Sequence, residues 1–436
     1  MPRVALVFPY FRTRAPTEML FPPLGAAALL AQLNLRRIEA RVFDCTFQTF
    51  TRIARSLIAY QPDIVGLSSM ILLNQNTFRF AQLIHEHLPD ALLVVGGPMP
   101  TLYPEHYNGS FDLVFRGEAD LSFPDFCQDY FGYLASRKTL YKLDLGQYPG
   151  LFSHNLDVIV ENPLVHYSQQ EICNFPIPDR SAFEHAAYQK FWMEKNGTRT
   201  TSIMITMGCP YNCDFCSRPV FGSSYRKRNL YVVFEEIRQI KALGYDQLWI
   251  TDDNFTLDLD LLRKFCQHIH GFGMSWTCLS RVTGISLDMA RLMKAAGCKR
   301  VYLGLESGSN DTLRLMNKKA TVEDGMQAVD YFRQAGIEVA AFFLVGYPSE
   351  TLADIEKTFN LALDLPLDDI SFNVPFPLPG SALYDRVSGV DPSQDWTHEN
   401  DVSFVYTSEF DPHWLRRRIR QTMRAFRSRK NSPSMS

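Results

Sequence analysis

The stretch Met207-Gly208-Cys209-Pro210-Tyr211-Asn212-Cys213-Asp214-Phe215-Cys216-Ser217 puts three cysteines on one short segment in a C-x3-C-x2-C spacing. Cysteine thiolates are the usual ligands of iron–sulfur clusters, and three so close together suit three irons of a cubane. The fourth iron is then open to chelate a substrate's amino and carboxylate groups. A zinc site would want a fourth nitrogen or sulfur ligand nearby, and no histidine or cysteine follows within the segment. Three loop cysteines without a role are the remaining alternative.

The motif follows directly on a strand-like run at 202–206. Five further runs of the same kind lie at 247–251, 275–279, 301–305, 339–345 and 370–375, with helix-length segments at 231–243, 259–270, 287–296 and 322–335. Repeated βα units predict a partial (β/α)6 barrel of the TIM type, whose chemistry sits at the carboxyl ends of its strands. The residues there are Asp252-Asp253-Asn254-Phe255, Ser280-Arg281, Gly304-Leu305-Glu306-Ser307-Gly308-Ser309 and Gly346-Tyr347-Pro348-Ser349-Glu350. Phe372, Asn373, Phe376, Pro377 and Pro379 follow the sixth run and are candidates for lining the mouth.

Upstream, short apolar runs at 4–9, 40–44, 64–69, 92–95 and 113–115 alternate with helical segments at 24–35, 50–60 and 76–87. Such alternation predicts a second α/β unit, a doubly wound, flavodoxin-like parallel sheet covered on both faces. The expected organisation is 1–140 for this domain, 141–195 for a connector, 196–385 for the barrel and 386–436 for a short helical tail. The connector is where periodicity fades and Pro149, Pro163, Pro176 and Pro178 appear. The tail contains a basic helical run at 414–427.

A chain of 436 residues has room for two domains. Hydrophobic residues at 46%, charged residues at 21% and a net charge of -3 are ordinary for a globular protein and give no electrostatic footprint for nucleic acid. No run approaches the roughly 18 apolar residues of a membrane span, and the first residues lack a signal-peptide pattern, so a cytoplasmic location is expected. Nine cysteines, an odd number, argue against a secreted disulfide framework. Cys266, Cys278 and Cys298 read as buried, unreactive thiols, while Cys45, Cys127 and Cys173 are scattered singly.

The cysteine spacing, with aromatic Phe215 before the last cysteine, resembles the signature of the radical S-adenosylmethionine superfamily, and the resemblance extends over the whole barrel. It implies that Cys209, Cys213 and Cys216 hold a [4Fe-4S] cluster. The reduced cluster would split S-adenosylmethionine into methionine and a 5′-deoxyadenosyl radical. By the same resemblance Phe215 lies against the adenine, Asp253 and Asn254 serve the methionine amine, and Arg281 pairs the methionine carboxylate. Glu306 and Ser307 serve the ribose, and Tyr347 lies in an adenine-contacting turn.

The strand ends of the first domain carry Asp44-Cys45-Thr46, Ser68-Ser69-Met70-Ile71, Gly96-Gly97-Pro98 and Arg116-Gly117-Glu118. This series is similar to cobalamin-binding domains and implies contacts from Asp44, Thr46, Ser69, Gly96, Gly97, Gly117 and Glu118. The D-x-H-x-x-G loop of such domains departs here, with Thr46 in place of histidine and Thr49 in place of glycine, so no imidazole is offered to cobalt from below. Phe21-Pro22-Pro23-Leu24-Gly25 matches a loop of cobalamin-dependent radical enzymes, and Leu72-Leu73-Asn74-Gln75 would cover the lower cobalt face. The expected activity is C-methylation of an unactivated carbon of a small molecule or lipid, through the 5′-deoxyadenosyl radical and methylcobalamin. The expected reductant is an electron donor such as flavodoxin or ferredoxin. The alternatives are oxidative cyclisation or rearrangement without methyl transfer, as in relatives resembling the anaerobic magnesium-protoporphyrin ester cyclase, and a non-enzymatic cobalamin carrier or sensor. A methylthiotransferase is disfavoured by the missing N-terminal cysteine trio.

Overall fold

Val4, Ala5, Leu6 and Val7 are all buried, as a strand in the middle of a parallel sheet with both faces covered must be. They belong to β1 (Arg3–Phe8), which pairs in parallel with β2 (Glu39–Asp44) and β3 (Ile64–Ser68). The sheet continues in parallel through β4 (Leu92–Gly96) and β5 (Leu113–Phe115). The computed structural model describes residues 2–15, 18–135, 143–154, 159–216, 222–390 and 404–431. Ser217, which closes the cysteine motif, lies outside them, as do residues 140–141 at the expected domain boundary and part of the tail.

The order β2-β1-β3-β4-β5 is that of flavodoxin-like sheets, which hold ligands beyond the strand ends at the β1/β3 switch point. One face packs on the Leu24–Leu35 and Ser122–Ala135 helices, the other on Phe50–Tyr60 and Asn74–His87. The connector then extends the sheet: β6 (Leu151–Ser153) pairs antiparallel with β5, and β7 (Val160–Glu161) with β6. Strands of two and three residues are too short to leave a periodic trace in sequence. Further along, the His185–Asn196 helix buries Tyr188, Phe191 and Trp192 in the first domain's core. The Trp192 indole donates to the Leu20 carbonyl at 2.6 Å.

The second sheet runs β8 (Thr200–Ile203), β11 (Gln247–Ile250), β12 (Ser275–Ser280), β13 (Cys298–Glu306), β14 (Glu338–Leu344) and β15 (Asp369–Asn373), all parallel and sequential. No ladder joins β15 to β8, so this is an open six-stranded barrel. The run expected as one strand at 202–206 breaks after Ile203. Beyond the break β9 (Thr206–Met207) pairs antiparallel with β10 (Arg226–Lys227) as a separate ribbon that carries the cysteine loop. Asp252, wholly buried, takes up the amides freed at the break, accepting from Ile205 N at 2.7 Å, Thr206 N at 2.8 Å and Thr206 Oγ1 at 2.6 Å. Burial pushes its carboxyl up to about 7 against these hydrogen bonds.

The helix Pro412–Asn431 packs along the outside of the barrel against Leu352–Asp364. Arg418 holds Glu356 there, with Nε 2.7 Å from Oε1.

A buried ion triad fastens the connector to the barrel. Glu236, on the Leu230–Ala242 helix, takes Arg180 on one oxygen at 2.6 Å and Arg228 on the other at 2.7 Å, and Arg180 also donates to the Ser202 carbonyl. Charges removed from water hold only while each has its counter-charge. Glu236→Ala is therefore expected to cost roughly 3–5 kcal/mol in urea unfolding, because it strands two buried guanidinium groups. Replacing all three residues with apolar side chains of similar volume should cost much less.

Candidate functional site

At the carboxyl ends of β1, β3, β4 and β5 lies a cavity of about 220 Å³. Leu6, Leu29, Val94, Phe115 and Phe123 give it apolar walls, and Gly25, Gly66, Gly96, Gly97 and Gly117 line the rest. A Cβ at Gly25 would meet nothing within 4 Å, so the space in front of that backbone is open. Gly97 serves another purpose: at φ +113° a Cβ would stand 2.6 Å from the Ser69 carbonyl, so the β3 and β4 loops cross there only because the side chain is absent. An apolar slot at the switch point, floored by glycine, fits the flat nucleotide tail of a cobalamin. At its polar edge burial raises the Asp120 carboxyl to about 6.

The other implied contacts divide. Ser69 is buried and exchanges a hydrogen bond with Tyr107 OH at 2.8 Å, while Asn74 Oδ1 accepts from Ser69 and Tyr107. Asp44 and Thr46 lie off the cavity, at the end of β2. The Asp44 carboxylate accepts from Thr46 on one oxygen and from Tyr188 OH at 2.7 Å on the other. In this structure they tie the first domain to the connector helix, and Tyr188 is a residue the sequence did not single out.

Met207, two residues before Cys209, forms part of the same cavity wall, so cavity and cysteine loop adjoin. Glu118 and Arg226 fix the junction. Both side chains are about 96% buried, and Arg226 clasps both carboxylate oxygens, Nη1 to Oε2 at 2.7 Å and Nη2 to Oε1 at 2.6 Å. Tyr167 N adds a third donor to the carboxylate at 2.8 Å. Glu118, expected to contact cobalamin, is thus fully engaged with protein. Arg226 belongs to the run Tyr225-Arg226-Lys227-Arg228, whose alternate arginines both turn inward while Lys227 stays at the surface. Two arginines spaced by two on a short strand were the available signal.

Cys209, Cys213 and Cys216 are half-buried thiols outside any disulfide, on the loop after Gly208, whose φ is +79°. Among the described residues no three His, Cys, Asp or Glu side chains converge as the ligands of a single ion would. An all-sulfur donor set spread along a loop fits a cubane, which takes each cysteine on a different iron. Arg281 lies over this loop. Its guanidinium stacks 3.7 Å from the Tyr211 ring centre, Nη1 donates to Cys213 Sγ at 3.2 Å, and Nη2 donates to the Lys318 carbonyl. Its buried Nε–H has no partner among the described residues, which fits a cation awaiting an anionic group of S-adenosylmethionine.

Asn254 accepts from the Arg281 amide at 3.2 Å, while Asp253 beside it is exposed. Glu306 sits at φ +63° on a bulge of β13, and its Oε1 accepts from Lys318 Nζ at 2.6 Å. Such backbone strain in a non-glycine residue marks a place where side-chain direction matters. Ser307 pairs with Thr358 and accepts from Ser309 N, so it holds the turn. Phe215 packs with Met316, Tyr347 and Leu383. Tyr347 is buried, its hydroxyl held by Arg386 at 2.7 Å, and the amides of Gly346 and Tyr347 both donate to Glu350. Lys318, Tyr211 and Glu350 organise the rim without belonging to the residues implied by resemblance.

Two family models match: the radical SAM superfamily over residues 203–362 and the B12 binding domain over residues 14–126, together more than half of the chain. Among curated relatives, the uncharacterized methyltransferase PH0819 of Pyrococcus horikoshii is 28% identical over 375 residues, covering 84% of this chain and 78% of its own length. The anaerobic magnesium-protoporphyrin IX monomethyl ester cyclase of Rubrivivax gelatinosus is 26% identical over 346 residues, 77% of this chain and 60% of the cyclase. The fold is shared with the radical S-adenosylmethionine methyltransferase TsrM of Kitasatospora setae, solved with cobalamin and a [4Fe-4S] cluster bound. The TM-score is 0.73 at 19% identity, over 88% of this chain and 74% of that one.

A B12-binding domain joined to a radical SAM domain defines the class. The chain belongs to the cobalamin-dependent radical S-adenosylmethionine enzymes, and its cofactors are a [4Fe-4S] cluster, S-adenosylmethionine and cobalamin.

Gly25 offers a clean test of the cavity. Gly25→Leu puts a side chain into open space and replaces glycine by a better helix former, so the unfolding midpoint should hold or rise. Cobalamin retained after gel filtration should fall at least tenfold while the cluster's visible absorbance is unchanged.

Proposed function

We propose that this enzyme methylates an unactivated carbon of a small molecule or lipid, with Cys209, Cys213 and Cys216 holding the cluster. The observation that carries the reading is the shared wall: Met207 lines the cavity of the first domain and leads directly into the cysteine loop. When bound, the cofactors supply a 5′-deoxyadenosyl radical to abstract hydrogen and a methyl group to replace it. The chain's own contribution is placement and exclusion of water. Arg281 orients toward the methionine end, its ring stack and its Cys213 contact leaving Nε–H for an anion. Lys318 holds Glu306 in its strained position at the ribose end. Glu350 fixes the Gly346–Tyr347 turn, taking both amides on one carboxylate oxygen.

An aromatic ladder crosses β11, β13 and β14. Trp249 and Tyr302 have ring centres 4.7 Å apart, Tyr302 and Phe342 are 5.8 Å apart, and Phe21 of the first domain reaches Trp249 at 5.8 Å.

Methyl transfer is favoured over cyclisation because PH0819 and TsrM are both named methyltransferases, while the cyclase extends well beyond the matched region. Nine cysteines outside any disulfide and the need for a strong reductant support a cytoplasmic setting and a flavodoxin- or ferredoxin-type donor.

The test uses S-adenosylmethionine with a deuterated methyl group and the anaerobically reconstituted holoenzyme, its cobalamin fully reduced. Methylation predicts deuterated methyl on the bound cobalamin and one S-adenosylhomocysteine per cobalamin, seen by mass spectrometry. Cys213→Ala should abolish 5′-deoxyadenosine formation and cluster absorbance. A cyclase would give 5′-deoxyadenosine without S-adenosylhomocysteine, and that result would overturn methylation.

A further inference from the structure

Eight of the chain's 44 lysines and arginines, and none of its 47 acidic residues, lie on the Pro412–Asn431 helix. The whole carries a net charge of -3, so the rest of the protein is considerably more acidic than the total suggests. The basic residues sort by face. Arg418 pairs with Glu356, Arg429 donates to the Leu363 and Leu365 carbonyls, and Lys430 donates to the Asp368 carbonyl. These fasten the helix to the barrel.

Arg417, Arg420, Arg424 and Arg427 point the other way. Their steps of three and four place them on one helix face, all four are exposed, and none makes an ion pair or hydrogen bond among the described residues. On four other helices an exposed arginine is paired within its own helix. Arg238, Arg263, Arg291 and Arg314 each have an acidic partner three residues earlier, at Glu235, Asp260, Asp288 and Asp311. Like charges at three- and four-residue spacing repel and weaken a helix, so a row of four with no acidic partner among the described residues is expected to meet an external polyanion.

We propose that this stripe docks the enzyme on the surface of an anionic phospholipid bilayer. The row is straight and about 15 Å long, at ~1.5 Å per residue. It lies along the barrel's outer wall, from Leu415 beside Gly346 at the carboxyl end of β14 to Lys430 beside Asp368 at the opposite end of the sheet. An acidic electron carrier would have to reach the cysteine loop, and the stripe leads away from it. Single-stranded nucleic acid is gripped with aromatic rings between the cations, whereas the exposed residues between these arginines are Gln421 and Ala425. A lamella asks only for spread negative charge, which basic residues near its surface meet at ~1 kcal/mol each. The acidic remainder of the protein is repelled, so contact is confined to this wall. No large apolar side chain is exposed among the four arginines, which makes the attachment peripheral and reversible by salt.

The test is cosedimentation of the holoenzyme with vesicles of phosphatidylcholine alone or mixed with phosphatidylglycerol. Binding is expected only to the mixed vesicles and should vanish in high salt. The combined variant R417Q, R420Q, R424Q and R427Q should lose on the order of several hundredfold in affinity, the product of four contributions of the size given above. The matching Arg→Lys variant should keep most of it. Without any variant, mixed vesicles should protect the 417–427 segment of the wild-type holoenzyme from trypsin. Equal binding to both vesicle types, unchanged binding by the glutamine variant, or displacement from vesicles by duplex RNA or an acidic flavodoxin at matched charge would each overturn the proposal.

Discussion

One carboxylate and one guanidinium, Glu118 and Arg226, hold the carboxyl ends of two parallel sheets against each other. Burying such a pair costs desolvation on both sides, so it contributes little net stability compared with apolar side chains of the same size. What it contributes is direction. A bidentate clasp, braced by the Tyr167 amide, permits one relative orientation of the β5 loop and the β9–β10 ribbon. The ribbon carries the cysteine loop and the β5 loop borders the apolar cavity. The spacing between the cavity and the cysteine loop is therefore set by Glu118 and Arg226, whose charged groups are engaged with each other.

The same division of labour recurs at the barrel rim. Asp252 takes three hydrogen bonds at the point where the first strand breaks, and that break frees the cysteine loop from the sheet. Lys318 compensates Glu306, and Glu350 takes the two amides of the next turn. Each is buried or nearly so, and each is held mainly by backbone or by a single opposite charge, with Glu350 engaged through one carboxylate oxygen. A site built this way is preorganised, since few of its supports must move when ligands arrive.

The alternation of strands and helices was legible because central parallel strands are apolar without interruption and their helices carry clear periodicity. The cysteine loop stood out in the sequence because three thiols at fixed spacing have few other uses, and the structure sets it on a ribbon apart from the main sheet. Tyr188, Arg226 and Lys318 were not, since their importance lies in partners 144, 108 and 12 residues away in sequence. Asp44 and Thr46 show the converse. Their local motif resembles a cofactor loop, yet in the structure their polar atoms are spent on each other and on Tyr188. The connector was illegible for a simpler reason: its strands are two and three residues long, and its largest contribution to the core is a helix that buries three aromatic rings beneath another domain.

Phe21 stands between Trp192 of the connector and Trp249 inside the barrel, 5.1 Å from one ring centre and 5.8 Å from the other. Among the described residues no strand closes β15 onto β8, and Phe21 of the neighbouring domain reaches a barrel ring. In evolutionary terms the two domains are not freely exchangeable modules. A first domain recombined from a relative would have to bring a residue of the right size at position 21, or coevolve with Trp192 and Trp249, before the ring contacts at this junction were restored.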